Sequence, residues 1–137
     1  MPQFRTTLKK GLPIFYIGIF SITLVDSICS IISRVYDIQY SSFYPLSYTI
    51  YILIPFFISL KTNKRTAVIY AALLGAFDAT IGWTISMLLK AKASIMNFEL
   101  TPTVWIYAIV SMMAICALLG FLGALAAWIF KKLRPQP

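Results

Sequence analysis

Four apolar runs of membrane-spanning length, divided by clusters of charge, constrain this chain more than any other feature. They fall at 11–33, 43–60, 66–89 and 102–130, and the only charges inside them are Asp26 in the first and Asp78 in the third. Each is at or above the roughly 18 apolar residues that suggest a transmembrane helix. Hydrocarbon offers no water to an unpaired backbone group, so a short apolar segment crossing it has to close its hydrogen bonds internally, as a helix. Hydrophobic residues are 60% and charged residues 12% of the chain, against about 45–50% and 25% in soluble domains. The fold class is therefore all-α, an integral membrane four-helix bundle, with residues 1–137 as a single transmembrane domain and the lipid bilayer as its first partner.

The punctuation between the runs fits that reading. The basic opening MPQFRTTLKK precedes the first run as it would in a secretory signal. The run is longer than a signal's apolar core and no small-residue cleavage site follows, which makes it an uncleaved first span. Pro45 suits a first helical turn, while Pro55 inside the second run removes a donor and predicts a kink near 52–55. K-T-N-K-R at 61–65 leaves room only for a tight hairpin, and Thr101 with Pro102 reads as a cap followed by the first helical residue. The fourth run would be about 43 Å long as a helix, so it tilts or protrudes. Trp105 and Trp128 lie near its ends. Tyr36, Tyr40, Tyr44 and Tyr48 recur every four residues, and we assign them to the headgroup level, where amphipathic rings gather.

Orientation follows from the cations. Nine (Arg5, Lys9, Lys10, Lys61, Lys64, Arg65, Lys131, Lys132 and Arg134) flank the runs on the side of the termini, and three (Arg34, Lys90 and Lys92) on the other. By the positive-inside rule both termini are cytoplasmic, in a plasma or inner cell membrane, with Glu99 the acid of a second outer loop at 91–100. The net charge of +8 is thereby a matter of topology, and no nucleic-acid partner is expected.

The expensive residues are Asp26 and Asp78. A carboxylate in hydrocarbon costs several kcal/mol unless it is protonated, hydrogen-bonded or facing a wet cavity. As a helix, the stretch A-A-L-L-G-A-F-D-A-T-I-G-W-T-I-S at 71–86 puts Ala71, Gly75, Asp78, Ala79, Gly82 and Ser86 on one face. Small residues let a second backbone approach, which is how membrane helices pack without a hydrophobic effect between them. Cys116, Gly120, Gly123 and Ala127 form the matching stripe on the fourth run. We therefore expect Gly75, Gly82, Gly120 and Gly123 to serve helix packing, the third and fourth spans being partners. Asp26, Cys29, Ser30 and Ser33 share a face of the first span. Counted from the basic clusters, the two aspartates lie about 24 and 20 Å up their helices, at similar depth. V-D-S-I and F-D-A-T around them hint at a repeat of two parallel hairpins, but identity beyond the aspartates is slight and does not establish a duplication.

Catalytic constellations are missing. With no histidine, an activated nucleophile would lack its usual base. Cys29 and Cys116, each inside an apolar run, read as packing residues, so neither metal nor cofactor is expected and the chain is read as non-enzymatic. Two functions remain. The first is an accessory or assembly subunit whose small-residue faces and buried aspartates mediate helix packing, with itself as a homo-oligomer or with another membrane protein. The alternative is an oligomeric proton- or cation-coupled small transporter or channel using Asp26 and Asp78, with Ser30 and Thr80 as neighbouring hydroxyls.

Overall fold

The computed structural model describes residues 2–92 and 101–133, with side chains from residue 7 onward. Most of the predicted second outer loop, including Glu99, lies outside the described residues, as do Arg134 and the side chain of Arg5. Among the described residues there are only helices. They are α1 (Pro2–Val35), a 3-10 turn (Tyr40–Phe43), α2 (Tyr44–Lys61), α3 (Lys64–Phe77), a π turn (Asp78–Gly82), α4 (Trp83–Leu88) and α5 (Pro102–Leu133). The π turn joins α3 to α4 in one continuous rod, so four spans result: Thr7–Val35, Tyr40–Lys61, Lys64–Leu88 and Pro102–Leu133, each long and apolar enough to cross a membrane.

Two boundaries differ from the sequence reading. α1 begins well before residue 11, because nothing in the basic opening breaks a helix. Pro13 lies inside it, one turn after Lys9, whose carbonyl loses its donor, and the Tyr70 hydroxyl donates to the neighbouring Leu8 carbonyl at 2.9 Å. The second span gains a turn at its start, as the 3-10 segment from Tyr40 leads directly into Tyr44 and Pro45. The hairpin after the second span and the start of the fourth read as the sequence implies. Lys61 ends α2 and Lys64 starts α3, and Asn63 caps it by accepting from the Thr66 amide at 2.8 Å. α2 runs unbroken through Pro55.

An even number of spans returns both ends of the chain to one side, here termed the terminal end; the other is the far end. The bundle is closed most tightly in its terminal and central parts. α5 packs chiefly on α2 and α3, along its small-residue stripe. Cys116, Gly120, Gly123, Ala124 and Ala127 are all buried. A Cβ at Gly120 would overlap that of Ala71, one at Gly75 would fall 2.7 Å from the Met112 carbonyl oxygen, and one at Gly123 would overlap the Ile52 carbonyl. The glycines let backbones touch where any larger residue would hold them apart. Ile22, Tyr51, Ile54, Ile58, Tyr70 and Leu74 fill the core beside them. Cys116, within this packing, and Cys29, on α1, are buried free thiols. At the terminal end, Lys131 donates to the Ser59 carbonyl at 2.7 Å and the Lys64 ammonium lies 4.2 Å from the centre of the Trp128 ring.

The perimeter is apolar. Phe20, Leu24, Ile28 and Ile31 on α1, and Leu118, Phe121 and Leu122 on α5, are exposed. Polar groups turn inward: Asp26, Ser30, Ser33, Ser59, Thr66 and Ser86 are buried. This inversion suits a hydrocarbon solvent, and the chain is an integral membrane protein.

Candidate functional site

α1 and the α3–α4 rod run in the same direction, and they bring Asp26 and Asp78 together in the half of the bundle toward the far end. Gly82 marks the meeting. A Cβ there would overlap Asp78 Oδ1 and lie 2.6 Å from Asp26 Oδ2, so both oxygens converge on the space that its missing side chain leaves. Beside the packing expected of Gly82, the atoms nearest to its missing side chain belong to two carboxyl groups.

Each acid has one tyrosine. The Tyr40 hydroxyl donates to Asp26 Oδ1 at 2.8 Å and the Tyr51 hydroxyl to Asp78 Oδ2 at 2.5 Å. Tyr51 is wholly buried on α2, and its bond is the shorter of the two. Asp26 Oδ2 receives no hydrogen bond from the protein although Asp26 is only 3% exposed. It faces a second acceptor, Asp78 Oδ1, within hydrogen-bonding reach. Two ionised carboxylates so placed repel, and a proton shared between them or a cation bound to both turns the repulsion into attraction.

Local chain geometry makes this possible. Across the π turn the Trp83 amide bonds back five residues to the Asp78 carbonyl. Threonine hydroxyls compete for carbonyls along the same stretch: Thr80 donates to Ala76 and Phe77, at 2.8 and 3.0 Å, and Thr84 to Thr80 at 2.6 Å. Such back-bonding loosens the regular helical ladder, and single π turns are frequent at functional sites. Thr80, grouped with the aspartates on sequence, thus spends its hydroxyl on its own helix and stays out of the cluster. Ser30 is closer to it. Its hydroxyl donates to Ser86 at 3.1 Å, and Ser86 is in turn a hydrogen-bond neighbour of Tyr40.

The pair opens onto a cavity of about 510 Å³, whose wall includes Tyr44, Ser47, Tyr48, Trp83, Ser86 and Met112. Among the described residues no lysine or arginine lines it. The sequence places the tyrosines at the headgroup level; Tyr36 is indeed exposed, but Tyr40 turns inward to bond an acid, and Tyr44 and Tyr48 flank the cavity. The signal for this inward turn is that the four-residue spacing continues to Tyr51 by a step of three, which makes one helical face rather than a belt. Tyr40, Tyr44 and Tyr48 pack in series, with ring centroids 6.3 and 6.2 Å apart.

Beyond the cavity the loops at the far end are clasped. Lys92 bonds the Asp37 carboxylate at 2.7 Å, the Lys92 carbonyl accepts from the Tyr40 amide at 2.9 Å, and the Lys92 amide donates to Ser33 Oγ at 3.0 Å. Tyr40 is held from both ends: its backbone by the clasp, its hydroxyl by Asp26. Among the described residues no three histidine, cysteine or acidic side chains gather as a metal site would require. The chain matches no family model, no curated protein and no solved structure.

Proposed function

We propose that this small polytopic membrane protein is a non-enzymatic carrier whose working part is the Asp26–Asp78 pair, neutralised by a proton or by a larger cation. The observation that carries this reading is Asp26 Oδ2, buried without a hydrogen-bond donor and facing another acidic oxygen beside an open cavity. A shared proton would satisfy that oxygen through a carboxyl–carboxyl hydrogen bond, whereas left with neither proton nor cation it would cost about 1–3 kcal/mol, so the pair must take up one or the other. The assembly reading draws less support from the glycines than the sequence suggested. Gly75, Gly120 and Gly123 are occupied inside the chain by Met112, Ala71 and Ile52, and their stripe is not left open to a partner.

The charge bias of the termini and the 61–65 hairpin supports cytoplasmic termini in a plasma or inner membrane. Asp37→Cys should then react with an impermeant thiol reagent in intact cells, and Lys61→Cys only after permeabilisation; the reverse pattern overturns the orientation. The carrier itself is tested in liposomes loaded with a pH indicator, under imposed proton and sodium or potassium gradients. Protein-dependent flux is expected, with Asp26→Asn and Asp78→Asn folding yet losing it. Flux equal to that of protein-free vesicles, or undiminished in both variants, would leave the pair a structural element.

A further inference from the structure

The cavity is too large and too apolar for a site that takes only a small inorganic ion. At about 510 Å³ it falls in the range of roughly 300–1,000 Å³ typical of small-molecule sites. Hard cations such as calcium take about 6–8 oxygen ligands. Here each carboxyl group has already committed one oxygen to a tyrosine, leaving Asp26 Oδ2 and Asp78 Oδ1 at the meeting over Gly82. The remaining wall is mostly ring and aliphatic carbon, with Tyr44, Tyr48, Trp83, Met87 and Met112 prominent. Two acids, aromatic side chains in the same wall and, among the described residues, no competing lysine or arginine make up the complement of one chemical class.

We propose that the cavity binds a lipophilic organic cation, whose charge is held by Asp26 and Asp78 and whose apolar substituents rest on Tyr44, Tyr48, Trp83 and Met112. The Asp26–Asp78 meeting, where Asp26 Oδ2 takes no donor from the rest of the protein, gives this ligand an acidic pair to neutralise in place of a shared proton, and the aromatic side chains of the same wall belong to the class that attracts cations. A neutral apolar molecule would leave the acids uncompensated. An anion would be repelled by them. Lipid tails are the natural competitors for such a wall, and they offer the acids no charge. This inference rests on the reading of the aspartates as a cation site and adds the ligand class.

The test uses two ions of nearly the same shape and opposite charge, tetraphenylphosphonium and tetraphenylborate, in equilibrium dialysis against the purified full chain in detergent, with empty micelles subtracted. Saturable binding of the phosphonium at one per chain is expected, with the borate bound at least tenfold more weakly. Asp26→Asn and Asp78→Asn should each weaken phosphonium binding at least tenfold. Ala108→Trp, which narrows the cavity from its wall and keeps both acids, should do the same and decides the matter if the acid variants fail to fold. Asp37→Asn, which removes an acid outside the cavity, should leave affinity unchanged. Equal binding of both ions, or phosphonium binding indifferent to the acids and to Ala108→Trp, would mean an apolar crevice for lipid or detergent chains and would overturn the proposal. Failure of the phosphonium to bind folded wild-type protein would overturn it as well. If acid-dependent flux in liposomes persists without phosphonium binding, the organic-cation inference falls and the carrier reading stands. Acid-dependent phosphonium binding without any flux does the opposite: the organic-cation site stands and the carrier reading falls.

Discussion

The glycine contacts in the middle of the bundle and the one at the Asp26–Asp78 pair look alike in sequence and behave differently. At Gly75, Gly120 and Gly123 the missing side chain is replaced by the backbone or Cβ of another helix. At Gly82 it is replaced by the flexible ends of two acidic side chains, with a cavity beside them. In the first region the glycines remove space; in the second the glycine creates it. The difference teaches that a small-residue stripe in a membrane helix does not by itself mean helix contact. What stands opposite the stripe decides, and only the fold brings that residue into place.

The contrast breaks most visibly under overpacking. Gly120→Ala would drive a methyl into the Ala71 Cβ and to 3.3 Å from Pro55 Cγ, between helices that have no flexible side chain to yield. A cost of about 1–3 kcal/mol is expected, read as a lowered thermal midpoint in detergent, and Gly75→Ala should behave alike. Stability equal to wild type in both would mean that α5 does not dock on α3 as described.

Next in size is the loss of Asp78. Asp78→Leu leaves the fully buried Tyr51 hydroxyl without its acceptor, at a cost of about 1–3 kcal/mol. Asp78→Asn keeps an acceptor for Tyr51 and should stay close to wild type in stability while abolishing acid-dependent flux. If Asp78→Leu melts with the wild type, Tyr51 has found another partner and the site is looser than its hydrogen bonds imply.

The four spans were legible because apolar length and charge clustering are summed over some twenty residues each, and tertiary context hardly alters such sums. The α3–α5 contact was legible because both helices carry a small-residue stripe, although the stripe alone could not say that Gly82 would face carboxyl groups. Asp26 and Asp78 could be singled out by cost alone. Their partners could not: the bonds from Tyr40 and Tyr51 link positions 14 and 27 residues apart in sequence and depend on how α2 is rotated. The π turn depends on a local contest between threonine hydroxyls and backbone amides that residue periodicity does not register, and Thr80 was misplaced for the same reason.

Gly82→Ala sharpens the comparison with Gly120→Ala. The added methyl meets carboxyl ends that can swing toward the cavity, so the stability loss should stay below about 1 kcal/mol, less than for an overpacked backbone contact. Flux and phosphonium binding should nevertheless fall, because the two oxygens can no longer converge. A variant with a large stability loss and undisturbed function would show that Gly82 belongs with the packing glycines after all.

The smallest effect is expected at the clasp over the far end. The Asp37–Lys92 pair is short, at 2.7 Å, but the side chains are 82% and 41% exposed. Exposed pairs of this kind contribute about 0.2–1 kcal/mol, and salt screens them. Two backbone bonds persist without the charges, from the Tyr40 amide to the Lys92 carbonyl and from the Lys92 amide to Ser33 Oγ. Asp37 also has a positive φ of 56°, which asparagine tolerates as readily, so Asp37→Asn removes the charge and spares the turn. A double-mutant cycle of Asp37→Asn with Lys92→Met should therefore give a coupling of at most about 1 kcal/mol at low salt, shrinking as salt is raised. Should the coupling be larger and insensitive to salt, the clasp would be holding Tyr40 against Asp26 through its charges rather than its backbone. The far end would then be as tightly fixed as the glycine-packed middle of the bundle.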